Sequence, residues 1–378
     1  MRALALALGV ALLSVPAAGA RGPDPKIAYV HGRNALLIYS GSALRQPILL
    51  PRSGTPHWSG DGRLVSFGGY IVAGGVQLPA ADLAWAPSGE RAAYVTKGGG
   101  AGIWSSRGRR TVVPDGWGAE SVAWSNGGAL ALGRAVCSGA CGLPSHTEIW
   151  IWRRGSLRKL LKTDGGRPQP FAWHDGHVLW WDWPNSGSIA ADGVRLYESE
   201  RRIATALMYR DYVSVCGSHL AVAAGGDRYA MHGKQILFDG RDVSDDRSRS
   251  WVSPACTAAG GLVASASNNT TPNRIGREHR AIWQLLPTRR QLTQPPAGWT
   301  DEYPVLFADG SVLLVRTRQL PFNKNGEWWT TTHAKLELLR GGKLTQLREL
   351  TFSGPDSGGD WLNYYGHYDW PSRLAVAP

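Results

Sequence analysis

His57, Asp82, Glu120, Asp211, Glu302 and His367 are far apart in the chain. Each lies a few residues before a large side chain of one recurring pattern: Trp58, Trp85, Trp124, Cys216, Phe307 and Trp370. Asp301 shares the position of Glu302. If a repeating fold brings equivalent positions together, several carboxylates and two histidines share one pocket at the rim of a channel. Such a set could hold a divalent cation or a polar ligand, and carboxylates at close range would shift one another's pKa. The residue types do not say which metal, or whether a metal is needed. No catalytic residue stands out. The chain has no G-x-S-x-G elbow and no G-x-x-x-x-G-K-[ST] phosphate loop.

Two other groups carry reactive side chains. "WHDGHVLW" sets His174 and His177 on either side of Asp175 and Gly176, so the two rings could approach each other. No third ligand lies nearby in sequence, and a solvent-facing turn is the simpler reading. The four cysteines suit an oxidising compartment. Cys137 and Cys141 lie in "CSGAC", which is neither C-x-x-C nor half of a zinc site. The expected disulfides are Cys137–Cys141 and Cys216–Cys256, with other pairings left open.

The elements that would position these groups repeat. "PHWSGDGRLVSF" (56–67) recurs with drift as "ADLAWAPSGERAAYV" (81–95), "ESVAWSNGGALALG" (120–133), "PFAWHDGHVLWW" (170–181) and "PVLFADGSVLLV" (304–315). A short strand ends in a large aromatic, a polar or glycine turn follows, and a second apolar strand returns. In "YVSVCGSHLAVAA" and "WVSPACTAAGGLVASAS", Cys216 and Cys256 take the aromatic position. Equivalent positions of adjacent units lie side by side around an axis. A disulfide there could replace aromatic packing if the distance allows. Third strands such as "GIW", "EIWIW" and "RAIWQLL" follow, and fourth strands such as "RRTVVP" and "LRKLLKT" lead out.

Four short antiparallel strands per unit are the signature of propeller blades. The markers at 58, 85, 124, 173, 216, 256 and 307 are spaced by 27 to 51 residues. The first interval is tight and demands very short strands. "YYGHYDWPSRLAVAP" places Trp370 near the marker position, whereas the strands after residue 25 lack a leading marker strand. The C-terminal strand or strands therefore join the N-terminal ones in a shared blade, which closes the ring and removes exposed sheet edges. The expected fold is all-β: a single β-propeller over residues 21–378, with eight four-stranded antiparallel blades and seven as the runner-up.

"HWSGDGRLVSF" and "LAWAPSGERAAYV" resemble the WD40-like repeat of the TolB family, in its propeller part. Trp58, Ser59, Asp61 and Gly62 match that pattern well, and Trp85, Pro87 and Gly89 match in part. Trp124, Ser125 and Gly127 match less, and the central repeats depart from it. The resemblance implies a propeller and leaves the biological role open.

Residues 1–20, "MRALALALGVALLSVPAAGA", have the form of a secretory signal peptide, with the mature chain starting near Arg21. The expected location is secreted, periplasmic or otherwise extracytoplasmic, with no transmembrane anchor in the mature chain. The net charge of +12 would favour an anionic surface or an acidic partner. No Lys/Arg block accompanies it, so specific nucleic-acid binding is not expected. The leading expectation is a non-catalytic propeller that binds a protein or an anionic cell-envelope component. The alternative is an extracytoplasmic hydrolase, lyase or lactonase with a channel-mouth site.

Overall fold

Each aromatic–turn–strand unit folds as an antiparallel hairpin. In the clearest, His174 pairs with His177 across Asp175 (φ 45°) and Gly176 (φ 80°). Positive φ at both central residues is the type I′ geometry that follows strand twist. The structure, a computed structural model, describes residues 24–377 except 32–34, 50–53, 73–74, 137–145, 164–165, 185–192, 208, 227–231, 270–278, 325–326 and 356–369. The expected signal peptide, Cys137, Cys141 and His367 lie outside the described residues.

The strands form eight four-stranded antiparallel sheets, arranged as the blades of a propeller. Blade 1 holds Lys26–His31, Ala35–Ser40 and Ala43–Leu49, and takes Leu374–Val376 as its innermost strand. Ile27 pairs with Val376 and Tyr29 with Leu374, so strands from the two ends of the chain close the ring. Blades 2 to 8 follow in chain order. Their innermost strands are Pro56–Trp58, Ala80–Trp85, Ala119–Trp124, Gly166–His174, Val213–Cys216, Arg249–Cys256 and Thr300–Leu306. Blade 2 fits its short interval with strands of three, three, two and two residues.

The core lies in the seams between blades. Val113, Trp124 and Trp152 pack between blades 3 and 4, and Ala123, Ile149 and Trp180 between blades 4 and 5. Tyr29, Tyr39, Leu313 and Leu336 fill the seam between blades 1 and 8. Each large apolar side chain buried in this way is worth about 1.5–3 kcal/mol.

The marker residues add polar ties across the seams. The indole N–H of Trp58 donates to the Ala375 carbonyl (3.1 Å), that of Trp85 to the His57 carbonyl (3.2 Å) and that of Trp173 to the Ala123 carbonyl (3.2 Å). Trp124 breaks the series: its indole N–H is buried with no partner among the described residues. Between blades 6 and 7 the tie is covalent. Cys216 and Cys256 form the expected disulfide, with Cα atoms 5.8 Å apart. Trp370 is not a marker. It sits in a 3-10 turn, Trp370–Ser372, upstream of the last strand, fully buried against blade 8. Among the described residues, no helix is long and apolar enough to cross a membrane.

Candidate functional site at the channel mouth

The innermost strands carry β-bulges, and these set what faces the channel. In blades 3, 4 and 5 the register with the second strand skips Ala81, Glu120 and Phe171. In blade 8 it skips Tyr303 and Pro304. A bulge leaves one residue outside the ladder and re-aims its side chain. Ala81, Glu120, Phe171 and Tyr303 all line one central cavity of about 800 Å³.

That cavity brings together His57, Asp82 and Glu120 from the predicted set and adds Arg210 and Gln169. Half-buried Trp58, Trp85 and Phe171 supply apolar wall. Asp82 is anchored from the side, since its Oδ2 accepts the Val122 backbone N–H of blade 4 at 3.1 Å. Arg210 leads the 3-10 turn Arg210–Tyr212 just before the inner strand of blade 6. Its Nη1 lies 3.1 Å from Nε2 of His57 in blade 2. A guanidinium only donates, so Nε2 accepts and the imidazole is neutral. Burial in the channel wall, and then the Arg210 charge, push the His57 pKa down from 6.5 to about 3.

The structure places the remaining predicted residues elsewhere. Asp211, next to Arg210, turns away and accepts the Ser253 hydroxyl of blade 7 at 2.5 Å. Glu302 is buried: Oε1 receives Arg280 Nη1 at 3.0 Å and Oε2 receives the Trp370 indole at 3.0 Å. Asp301 is buried beside it and takes Arg316 Nε at 2.6 Å. None of these three carboxylates lines the cavity. Among the described residues, no three of His, Cys, Asp and Glu sit close enough to hold a metal ion.

Arg210 was missed by the sequence reading although it neighbours Asp211. The repeat register had marked the right turn and the wrong side of it. His174 and His177 do not face each other as ligands. His174 Nδ1 meets Glu198 Oε1 at 2.5 Å and Nε2 meets the Ser218 carbonyl of blade 6 at 2.9 Å. His177 Nδ1 meets the Ser199 hydroxyl at 3.2 Å.

No protein-family model and no curated protein matches the chain. Solved structures are similar to it at low identity, a β-propeller domain among them. The acylaminoacyl peptidase of Pyrococcus horikoshii is 10% identical with a TM-score of 0.40, over 83% of this chain and 58% of that one. This chain thus spans less than two-thirds of that protein's length. The β-propeller domain of the trilobed protease from Pyrococcus furiosus is 10% identical with a TM-score of 0.39, over 86% of this chain and 96% of that one. AztD from Citrobacter koseri in its apo form is 10% identical with a TM-score of 0.33, over 94% of this chain and 98% of that one.

Proposed function

We propose that this chain is an extracytoplasmic, non-catalytic binding propeller that takes a segment of a protein partner, a component of the cell envelope, at its channel mouth. One observation carries the reading: Asp82, Glu120 and Arg210 converge with half-buried aromatic wall on a single open cavity. Both charge signs beside apolar surface suit a polypeptide segment, which presents the same mixture. Rigid stacked sheets under variable loops suit binding. The signal-like start and the Cys216–Cys256 disulfide support an oxidising, extracytoplasmic setting.

The test is a pull-down from the native envelope fraction with the native chain and with the pair Asp82→Asn and Glu120→Gln. Asparagine keeps an acceptor for the Val122 N–H, so the variant removes charge and leaves the seam. A partner retained by the native chain and lost by the variant supports the reading. A partner retained equally by both overturns it. A second reading, an extracytoplasmic hydrolase, lyase or lactonase, is favoured by the presence of His57, Asp82 and Glu120 in one cavity. Elemental analysis showing a stoichiometric metal that is lost in the same variant would replace the first reading with the second.

A further inference from the structure

Two stretches on the outer rims of blades 3 and 4 are cationic and free of acids in sequence. Residues 97–113 contain Lys97, Arg107, Arg109 and Arg110, and residues 149–163 contain Arg153, Arg154, Arg158, Lys159 and Lys162, with no Asp or Glu in either stretch. The fold sets these two stretches side by side. They form the outer hairpins Ala101–Ser105/Gly108–Val113 of blade 3 and His146–Arg153/Ser156–Thr163 of blade 4. The Arg110 guanidinium lies over the Trp152 ring of blade 4 at 5.2 Å. A methyl group placed on Gly155, in the blade 4 turn, would sit 3.5 Å from Arg110 Nη2.

Lys159 and Arg134 are answered by the buried Glu148, at 2.5 Å and 3.2 Å. Arg109 reaches back to the Gln77 carbonyl of blade 2 at 2.7 Å. Arg107, Arg110, Arg153, Arg154 and Arg158 are exposed and make no ion pair with a carboxylate among the described residues. Charged residues on outer strands guard sheet edges against pairing with other chains. Guarding does not require this concentration: the outer strand of blade 2, Val76–Gln77, carries no charge, and Arg201 on the outer strand of blade 5 is paired with Glu198.

We propose that the rim of blades 3 and 4 is a docking surface for a linear anionic glycan, whose repeated carboxylates lie along these five arginines. Charge complementarity gives the sign of the partner. What the patch lacks gives its class. Among the described residues the exposed large apolar side chains, Leu44, Leu49 and Leu320, lie on blades 1 and 8, so the described patch presents no large apolar side chain to a lipid surface. Of the three indoles within it, Trp104 is buried edge-on against Trp85, and Trp150 and Trp152 are already faced by Lys159 and Arg110, so none offers an open platform for stacking bases. An acidic protein would need an apolar anchor pocket for lasting contact. A flexible polyanion needs only charge and hydrogen bonds. This surface is separate from the channel mouth and does not depend on the reading of that cavity.

The experiment titrates the full chain at low salt with a linear polyuronate, polygalacturonate, and repeats it with phosphatidylglycerol vesicles. The triple variant Arg107→Gln, Arg110→Gln, Arg153→Gln is compared with a control of equal charge loss on other blades, Arg241→Gln, Arg290→Gln, Lys343→Gln. The expected result is polyuronate binding that weakens about tenfold or more in the patch variant, stays within about threefold in the control, and fades with added salt. Equal loss in both variants would reduce the effect to net charge and overturn the proposal. Vesicle binding with the same dependence and no polyuronate binding would overturn it in favour of a lipid surface, and absence of binding to either probe would end it. The pair Asp82→Asn and Glu120→Gln should leave polyuronate binding unchanged.

Discussion

The Arg210 guanidinium reaches from blade 6 to Nε2 of His57 in blade 2, 3.1 Å away. In an eight-bladed ring these blades stand opposite each other, so the pair spans the channel mouth. It also fixes the charge state of the histidine. In the unfolded chain His57 takes a proton near pH 6.5; in the folded chain burial and the Arg210 charge hold that step down to about 3. The folded state therefore binds fewer protons between these values. The stability His57 contributes is fully present above about pH 6.5 and is lost as the pH falls toward 3. His57→Gln should flatten the acid limb of the stability curve in that window. Arg210→Met should move the His57 titration upward in an NMR pH series. A native His57 that titrates near 6.5 would refute the assignment.

His174 carries the opposite sign. Glu198 and the Ser218 carbonyl both accept, so both ring nitrogens carry hydrogen and the ring is a cation. Burial acts to lower its pKa. The Glu198 and Ser218 hydrogen bonds, with the charges of Glu198 and Asp175, outweigh burial and hold it above 6.5. Across the seam, burial raises the pKa of Asp239 in blade 6, but the Leu220 N–H and His219 outweigh it and bring it down, with a smaller push from the His174 charge; Arg201 shares Glu198. The stability from this group is complete below the unfolded pKa and disappears as the pH rises through the folded one. His174→Gln should lower the unfolding midpoint at pH 6 and converge with the native chain in mildly alkaline solution. A constant difference across that range would show that packing alone is at work.

The marker tryptophans make a contrast between two seams measurable. Trp85 donates to the His57 carbonyl and to Ser66 Oγ at 2.9 Å, whereas the Trp124 N–H has no partner among the described residues. Trp85→Phe removes a satisfied donor as well as volume. Trp124→Phe removes a buried donor that is unsatisfied. The hydrogen-bond part of the first change should cost about 1 kcal/mol, and the second should have no such cost. Denaturant midpoints of the two variants at one pH would show the difference. Equal losses would mean that the indole N–H ties are incidental to aromatic packing.

The blades were legible because their signal is local. An aromatic, a glycine turn and an apolar return strand, as in Trp58–Phe67, specify one hairpin wherever they occur. Cys216 and Cys256 were legible as partners because they take the marker position in adjacent repeats. The channel site was only half legible. His57, Asp82 and Glu120 converge, but Glu120 arrives through a bulge that skips it in the ladder, and no local pattern announces a bulge. One residue of register reverses the face a side chain presents. Arg210 and Asp211 lie in a 3-10 turn ahead of the strand, where strand alternation does not apply: Asp211 turns to Ser253 while Arg210 enters the channel.

Glu302 separates a channel ligand from a structural counter-ion most sharply. Its side chain is 6% exposed and that of Arg280 2%, with Nη1 and Oε1 3.0 Å apart. The second oxygen holds the indole of Trp370, which precedes the closing strand. Removing the carboxylate takes a counter-ion from a buried guanidinium and an acceptor from the Trp370 N–H. Glu302→Ala should therefore cost about 3–5 kcal/mol, the loss typical of breaking a buried pair from one side. The double change Arg280→Met with Glu302→Leu should recover most of that loss, because neither charge is then stranded. Denaturant unfolding of both variants, with partner retention measured on whatever remains folded, checks the assignment. Near-native stability for Glu302→Ala together with loss of the partner would return Glu302 to the binding site. The expected pattern is the reverse: the single variant unfolds early, and the double variant folds and still binds.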